Sequence, residues 1–420
     1  MPRIRCALGW RQASPRKMAA CFQYLPMMSG LPAPDPDALR HSEALAALIR
    51  GEIAASGGNI PFSRFMERCL YAPGLGYYSA GSTKFGVAGD FVTAPELGPL
   101  FASCVAEAVA PVLQQLGPEA EFVEIGGGSG AFAETVLKRL LALDAMPARY
   151  AILEPSADLR ERQRERLGRA LIPPVFDRIE WLDGPLEAQW NGVLFANEVI
   201  DALPTPRFTL HEGEVFEEGV ALDDEGRFVR NDRPADALLA AAVRHVERYL
   251  GAPFADGYRS ELLPQLPYWL QAVMGGLQAG AMLFVDYGHP RREFYLPQRD
   301  QGTLRAFYRH HVHDDAFLWP GLQDLTASVD FTGLAEAGTH AGFDLEGYCS
   351  QASFLLGNGL PKLLEEAQAR ADETRMQRMR NEARQLTLPT EMGERFQVMG
   401  FSRDVEFGAS FLTGDLTWRL

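Results

Sequence analysis

The chain is short of several things, and each shortage closes off a class of function. It has only four lysines, Lys17, Lys84, Lys138 and Lys362, so nearly all its positive charge is arginine. Acids outnumber bases and leave a net charge of −15. Phosphate contacts need a basic face, so a nucleic-acid partner is not expected. The five cysteines, Cys6, Cys21, Cys69, Cys104 and Cys349, are scattered, odd in number and never spaced Cys-x-x-Cys. That argues against a disulfide framework or a cysteine zinc site and suits a reducing compartment. No apolar run approaches the roughly 18 to 20 residues of a membrane span, and no internal repeat marks a solenoid. The first 34 residues hold no Asp or Glu but carry Arg3, Arg5, Arg11, Arg16 and Lys17. Two readings follow: a mitochondrial transit peptide, or a floppy bacterial N-terminus with the true start at Met18, Met27 or Met28. The expected location is a bacterial cytoplasm, or the mitochondrial matrix on the first reading. Oligomeric state is not legible.

What is present describes a globular enzyme: 420 residues, 47% hydrophobic and 23% charged, enough for a large core. A flexible segment, 1–36, ends in Leu31-Pro-Ala-Pro-Asp-Pro36. An N-terminal helical part is expected over 37–98, from amphipathic spacing at 37–55 and 60–70 and a Gly- and Tyr-rich loop at 71–89. From Pro99 to the end, helices alternate with short apolar strands at 121–125, 150–153, 179–182, 193–196 and 282–285. This alternation predicts an α/β, Rossmann-like fold with a mostly parallel, doubly wound sheet. Insertions interrupt it at about 205–275, after the fourth strand, and about 290–330, after the fifth. The first includes antiparallel strands within 207–229; the second lacks a clear period. Both would flank the ligand crevice.

The strongest local signal is Glu124-Ile125-Gly126-Gly127-Gly128-Ser129-Gly130, between a strand and a helix. A sharp strand-to-helix turn needs residues without Cβ where φ is positive. The bare backbone also lets a ligand lie against it, beside unpaired helix N–H groups. Gly126-x-Gly128-x-x-Ala131 satisfies the permissive dinucleotide pattern. The tighter Gly126-x-Gly128-x-Gly130, with Glu124 two residues earlier, looks more like a methyltransferase motif. Its cofactor would be S-adenosyl-L-methionine, which has no pyrophosphate to cradle and whose cationic groups favour acidic neighbours. Glu154, ending the second strand, can accept the ribose hydroxyls, and Asp183, after the third, could receive the adenine amino group. The bland alternative for Glu154 is a solvated strand-end acid.

Three further segments, Gly89-Asp90-Phe91-Val92-Thr93-Ala94-Pro95-Glu96, Asn197-Glu198-Val199-Ile200-Asp201-Ala202-Leu203-Pro204 and Asp286-Tyr287-Gly288-His289, join the glycine turn in resembling one group. Their order and spacing resemble the MidA-like family, relatives of a mitochondrial complex I assembly-factor arginine methyltransferase. The likeness extends through Gly321-Leu322-Gln323-Asp324-Leu325-Thr326-Ala327-Ser328-Val329-Asp330-Phe331 and covers most of the chain from about Leu39. It implies a class I methyltransferase fold, conventionally seven-stranded, and N-methylation of arginine in a protein substrate.

Arginine is a poor nucleophile because its charge is delocalised and its pKa exceeds about 12. A site for it should offer carboxylates that grip the guanidinium and localise its charge. Glu198 and Asp201 are the candidates, with Asn197 beside the cofactor; Asp201 reads equally as a helix N-terminal acid. His289 could take the proton that methylation releases, or be a loop histidine bonded to backbone. Asp90 and Glu96 would belong to a lid over the cofactor. Otherwise Asp90 caps a turn and Glu96 opens a short helix after Pro95. The run Tyr308-Arg309-His310-His311-Val312-His313-Asp314-Asp315 lacks His-x-x-x-His spacing, so no metal is expected. Two rival functions remain: a catalytically silent methyltransferase-fold assembly factor, and an NAD-dependent oxidoreductase.

Overall fold

Short strands that are apolar on both faces build the centre of the molecule. The computed structural model describes residues 30–80, 93–369 and 372–420; Asp90 and most of the basic N-terminal segment lie outside them. The central sheet has eight strands; the short Val329–Asp330 pairs only with the end of one of them, and the other seven lie side by side: β1 (Glu121–Ile125), β2 (Arg149–Leu153), β3 (Ile179–Leu182), β4 (Gln189–Asn197), β5 (Gly276–His289), β6 (Asp344–Ser350) and β7 (Phe396–Arg403). Their spatial order is β3-β2-β1-β4-β5-β7-β6. The pairs among β3, β2, β1, β4 and β5 are parallel, while β7 runs antiparallel to both β5 and β6. This is the class I methyltransferase arrangement.

Burial explains why these strands read as unbroken apolar runs. Phe122, Val193, Phe195, Leu283 and Val285 pack on one face with the helices Leu100–Leu116 and Ala131–Ala142. Their neighbours Val123, Leu194, Ala196, Met282 and Phe284 pack on the other, with the helices Leu266–Met274 and Phe331–His340. Alternate residues point to opposite faces, and here both faces are dry. Each fully buried side chain of this kind contributes about 1.5–3 kcal/mol. β4 and β5 run longer than their apolar cores at 193–196 and 282–285. The backbone ladder continues past those cores into polar residues such as Gln189 and Asn197, which a hydrophobicity pattern does not register.

The helical N-terminal part packs elsewhere. Helix Pro36–Ala55 starts where the Asp35 carboxylate accepts from the amides of Asp37 and Ala38. The apolar stretch from Ile60 is a two-residue strand, paired with Gly219–Val220, followed by helix Phe62–Tyr71. Leu45, Ile49, Phe65, Met66 and Leu70 share a core with Val220, Leu304, Ala306, Leu325 and Ala327. These helices therefore rest on the two insertions rather than on the central sheet.

The first insertion holds antiparallel strands, including the hairpin Arg207–His211/Glu214–Glu217, which turns through Glu212 and Gly213 at positive φ. The second, without visible periodicity, is a three-stranded antiparallel sheet of Arg305–Tyr308, His311–His313 and Asp324–Thr326. Three or four residues are too few to display a period of two. Arg309 and His310 form the turn between its first two strands, both at positive φ, so the histidine run is a hairpin. Among the described residues no helix is long and apolar enough to cross a membrane.

Candidate active site

The C-terminal ends of β1, β2, β4 and β5 open into a cavity of about 810 Å³. β1 delivers the chain into the glycine turn, where Gly126, Gly128 and Gly130 take φ of 72°, 52° and 79°. Gly126 and Gly128 line the cavity, and a Cβ on Gly128 would meet nothing within 4 Å. Gly130 does not line it. Its absent Cβ faces Gln163 of helix Ala157–Ala170 at 3.4 Å, so its bareness serves the helix contact and positive φ rather than a ligand. Glu96, in the four-residue helix Ala94–Leu97, accepts a hydrogen bond from the Ser129 hydroxyl and lines the cavity.

Glu124 lies beneath the turn, fully buried, with the Tyr150 hydroxyl donating to it at 2.7 Å. Burial pushes its pKa up to about 8, and the nearby Glu154 charge adds to the shift. Glu154 is buried at the end of β2 and accepts from the Ser156 amide at 2.9 Å. Burial raises it as well. A carboxylate has about four lone-pair positions, so it retains capacity to accept more. Asp183 stands at the rim, its side chain 96% exposed, bonded to Arg160 at 2.6 Å.

β4 ends in Asn197, whose amide nitrogen donates to Glu198 at 3.1 Å while its Oδ1 has no partner. Glu198 sits at φ 52°, its N–H donating to Val285 O of β5 at 2.9 Å. A left-handed conformation costs a non-glycine residue roughly 1–2 kcal/mol, and such strain gathers at functional sites. Asp286 holds the following loop: one oxygen accepts from the amides of Ile200 and Asp201 at 3.0 and 3.2 Å, the other from the Tyr287 amide at 2.9 Å. The Asp201 side chain faces the cavity and caps no helix.

These acids crowd one another away from water. Burial, followed by the charges of Asp201 and Asp324, lifts Glu198 to about 8. Burial lifts Asp201 to about 6, opposed by the Tyr287 hydroxyl. Asp286 is held well above the carboxylate range by burial, then by Asp201 and Glu198. Among the described residues Glu124, Glu198, Asp201 and Asp286 form no ion pair. His289, at the end of β5, lines the same cavity, but burial and then the Arg299 charge lower it to about 4.

Sequence reasoning did not single out Asp286, Tyr287, Asp324, Thr326, Tyr71 or Tyr78, all close to or lining this space. The first four lie inside segments already marked by the family resemblance; their types in those segments were the available signal. The tyrosines carried no signal beyond a Tyr-rich loop.

The chain matches, over residues 104–349, the family described as "Putative S-adenosyl-L-methionine-dependent methyltransferase". It belongs to that family. A Burkholderia thailandensis protein, described as a "likely methyl transferase" and solved bound to S-adenosyl-homocysteine, is 44% identical with a TM-score of 0.85. That alignment covers 93% of this chain and all of the other. A mitochondrial protein arginine methyltransferase homologue of Drosophila melanogaster is 28% identical over 403 residues, 88% of each chain. The mitochondrial protein arginine methyltransferase of Mus musculus is 28% identical over 375 residues, covering 81% of this chain and 80% of its own. These are the relatives the motifs pointed to. The enzyme is an S-adenosyl-L-methionine-dependent methyltransferase, and the oxidoreductase alternative falls.

The cavity suits that cofactor on its own evidence. Bare backbone at Gly128 leaves room, and Asn197 Oδ1 is an acceptor without a donor. Buried acids outnumber the lining arginines, Arg160 and Arg395. A cationic ligand is favoured there and a pyrophosphate is not.

Proposed function

We propose that this enzyme N-methylates arginine in a protein substrate, with Glu198 and Asp201 holding the guanidinium. The observation that carries this reading is the pair itself: two cavity-lining acids, both raised by burial and Glu198 further by the Asp201 charge, with no cation beside them among the described residues. The naming of relatives as arginine methyltransferases agrees with it.

S-adenosyl-L-methionine, when bound, supplies an electrophilic methyl group. Glu124, Gly126, Gly128, Glu154, Asp183, Asn197 and Glu96 are the residues we assign to its binding, with Gly130 supporting the turn from behind. The chain's task is then alignment, because in-line displacement rewards a fixed approach. Glu198, held by Asn197 and by its own backbone bond to β5, would grip one edge of the guanidinium and concentrate charge there. Arrival of a cation favours the ionised carboxylates, reversing their raised pKa values. We assign the released proton to the Glu198–Asp201 pair. His289 is the weaker choice, since a base near 4 binds protons poorly at neutral pH. Tyr71, Tyr78, Thr93 and Glu96 line the cavity, which supports a lid role for residues 37–98 that excludes water.

The test uses radiolabelled cofactor with arginine- and lysine-containing peptides, then host lysate to find the labelled band. Arginine peptides should be labelled and lysine peptides not, with Glu198→Gln abolishing transfer while cofactor affinity stays within a few-fold. Intact cofactor binding with no transfer to any arginine would favour the silent assembly-factor reading instead.

A further inference from the structure

The second insertion supplies a wall of the cavity through strand Asp324–Thr326. Thr326 is 3% exposed, and its hydroxyl completes no hydrogen bond. The same holds for Asp201 Oδ1, on a residue 5% exposed, and for the buried Tyr287 hydroxyl. The Tyr287 hydroxyl faces both Asp201 and Thr326 without closing a full bond to either. The three groups come from separate segments: the insertion, β5 and the loop after β4. They are brought together in part by the Ala327 amide, which donates to Asp201 O at 2.9 Å. Buried polar atoms are ordinarily partnered; these three face one another without a fully formed bond, and so keep capacity for a ligand's donors.

The surroundings narrow the ligand. Tyr71 and Tyr78 stack at 5.5 Å along the wall, and Phe307 lines it too. The Tyr78 hydroxyl is anchored 3.0 Å from both Asp324 oxygens, and the Tyr71 hydroxyl donates to Ala202 O at 2.9 Å. Fixed aromatic groups beside acids and acceptor hydroxyls suit a planar, weakly hydrated cation with several N–H donors and no acceptor.

We propose that Thr326, Tyr287 and Asp201 form the seat of the acceptor guanidinium, with Thr326 as a specificity-determining residue contributed by the second insertion. This rests on the arginine reading above and deepens it. Each hydroxyl can accept from the ligand while its own proton turns toward its neighbour.

Calorimetry on the full chain saturated with S-adenosyl-homocysteine tests this, using Gly-Gly-Arg-Gly-Gly and Gly-Gly-Lys-Gly-Gly as probes. Thr326→Val keeps the shape and removes the hydroxyl; it should weaken the arginine peptide about tenfold or more, with S-adenosyl-homocysteine affinity unchanged. Thr326→Ser should restore binding to near wild type. Tyr287→Phe carries the same comparison should Thr326→Val fail to fold. Unchanged arginine affinity in these hydroxyl-removing variants overturns the seat and leaves the arginine reading standing. A wild-type enzyme that ignores the arginine peptide, or binds the lysine peptide equally, overturns both.

Discussion

Replacing Glu198 by glutamine keeps the side chain's shape and removes its charge, so stability and turnover should move in opposite directions. In the wild type, burial and the neighbouring acids raise Glu198 from 4.5 to about 8. At about 1.4 kcal/mol per tenfold, full ionisation in the empty protein would cost about 4–5 kcal/mol. Glu198 is only half-buried and borders the cavity, so water there screens part of the penalty and about 2–3 kcal/mol remains. The folded pKa lies above the unfolded one. The protonated acid's contribution is therefore intact below about pH 4.5 and lost as pH rises through about 8. Glutamine suffers no such loss. Scanning calorimetry of the cofactor-free protein should find the two melting alike near pH 5. Near pH 9 the variant should melt a few degrees higher. Methyl transfer should fall by about 100-fold or more, since a charge-assisted bond made to the reacting group is gone. A melting difference independent of pH, or a variant that turns over at the wild-type rate, would refute the reasoning.

Two further outcomes follow from the same geometry. Gly128→Val places a branched side chain at φ 52° and into the open cavity, so calorimetric affinity for S-adenosyl-homocysteine should drop more than tenfold. Gly130→Ala should mainly lower the stability of the fold, by about 1–2 kcal/mol, through its left-handed backbone; equal affinity losses in both variants would count against this division. The pH profile of kcat/KM should climb between about 6 and 8, as Asp201 and Glu198 become available as carboxylates, and show no inflection from His289. A flat profile across that window would contradict the assignment of the acids.

Much of the framework was legible because its causes are local. β1 to β5 announce themselves through apolar runs, which arise because both faces of the sheet are covered. The glycine turn was legible because three residues there take positive φ. Glu124, Glu154 and the Asn197–Asp201 segment were legible from their places at strand ends. The second insertion was opaque: its strands are three or four residues long, too short for an alternation to show, although they pair with one another. Asp286 was quoted in a motif without a role, because its work is to accept amides from residues more than 80 positions away. Gly130 reads like its two neighbours in sequence, and only the approach of Gln163 separates its duty from theirs.

By itself the sequence determined the alternation of helices and strands from β1 to β5, the bare turn and the acidic character of the strand ends, since each depends on residues adjacent in the chain. The tertiary structure alone decided which acids crowd together, that His289 is a weak base, and that the second insertion bonds the loop after β4 through the Ala327 amide. Desolvation and charge repulsion act through space over a few ångströms, and that separation is set by packing rather than by position along the chain.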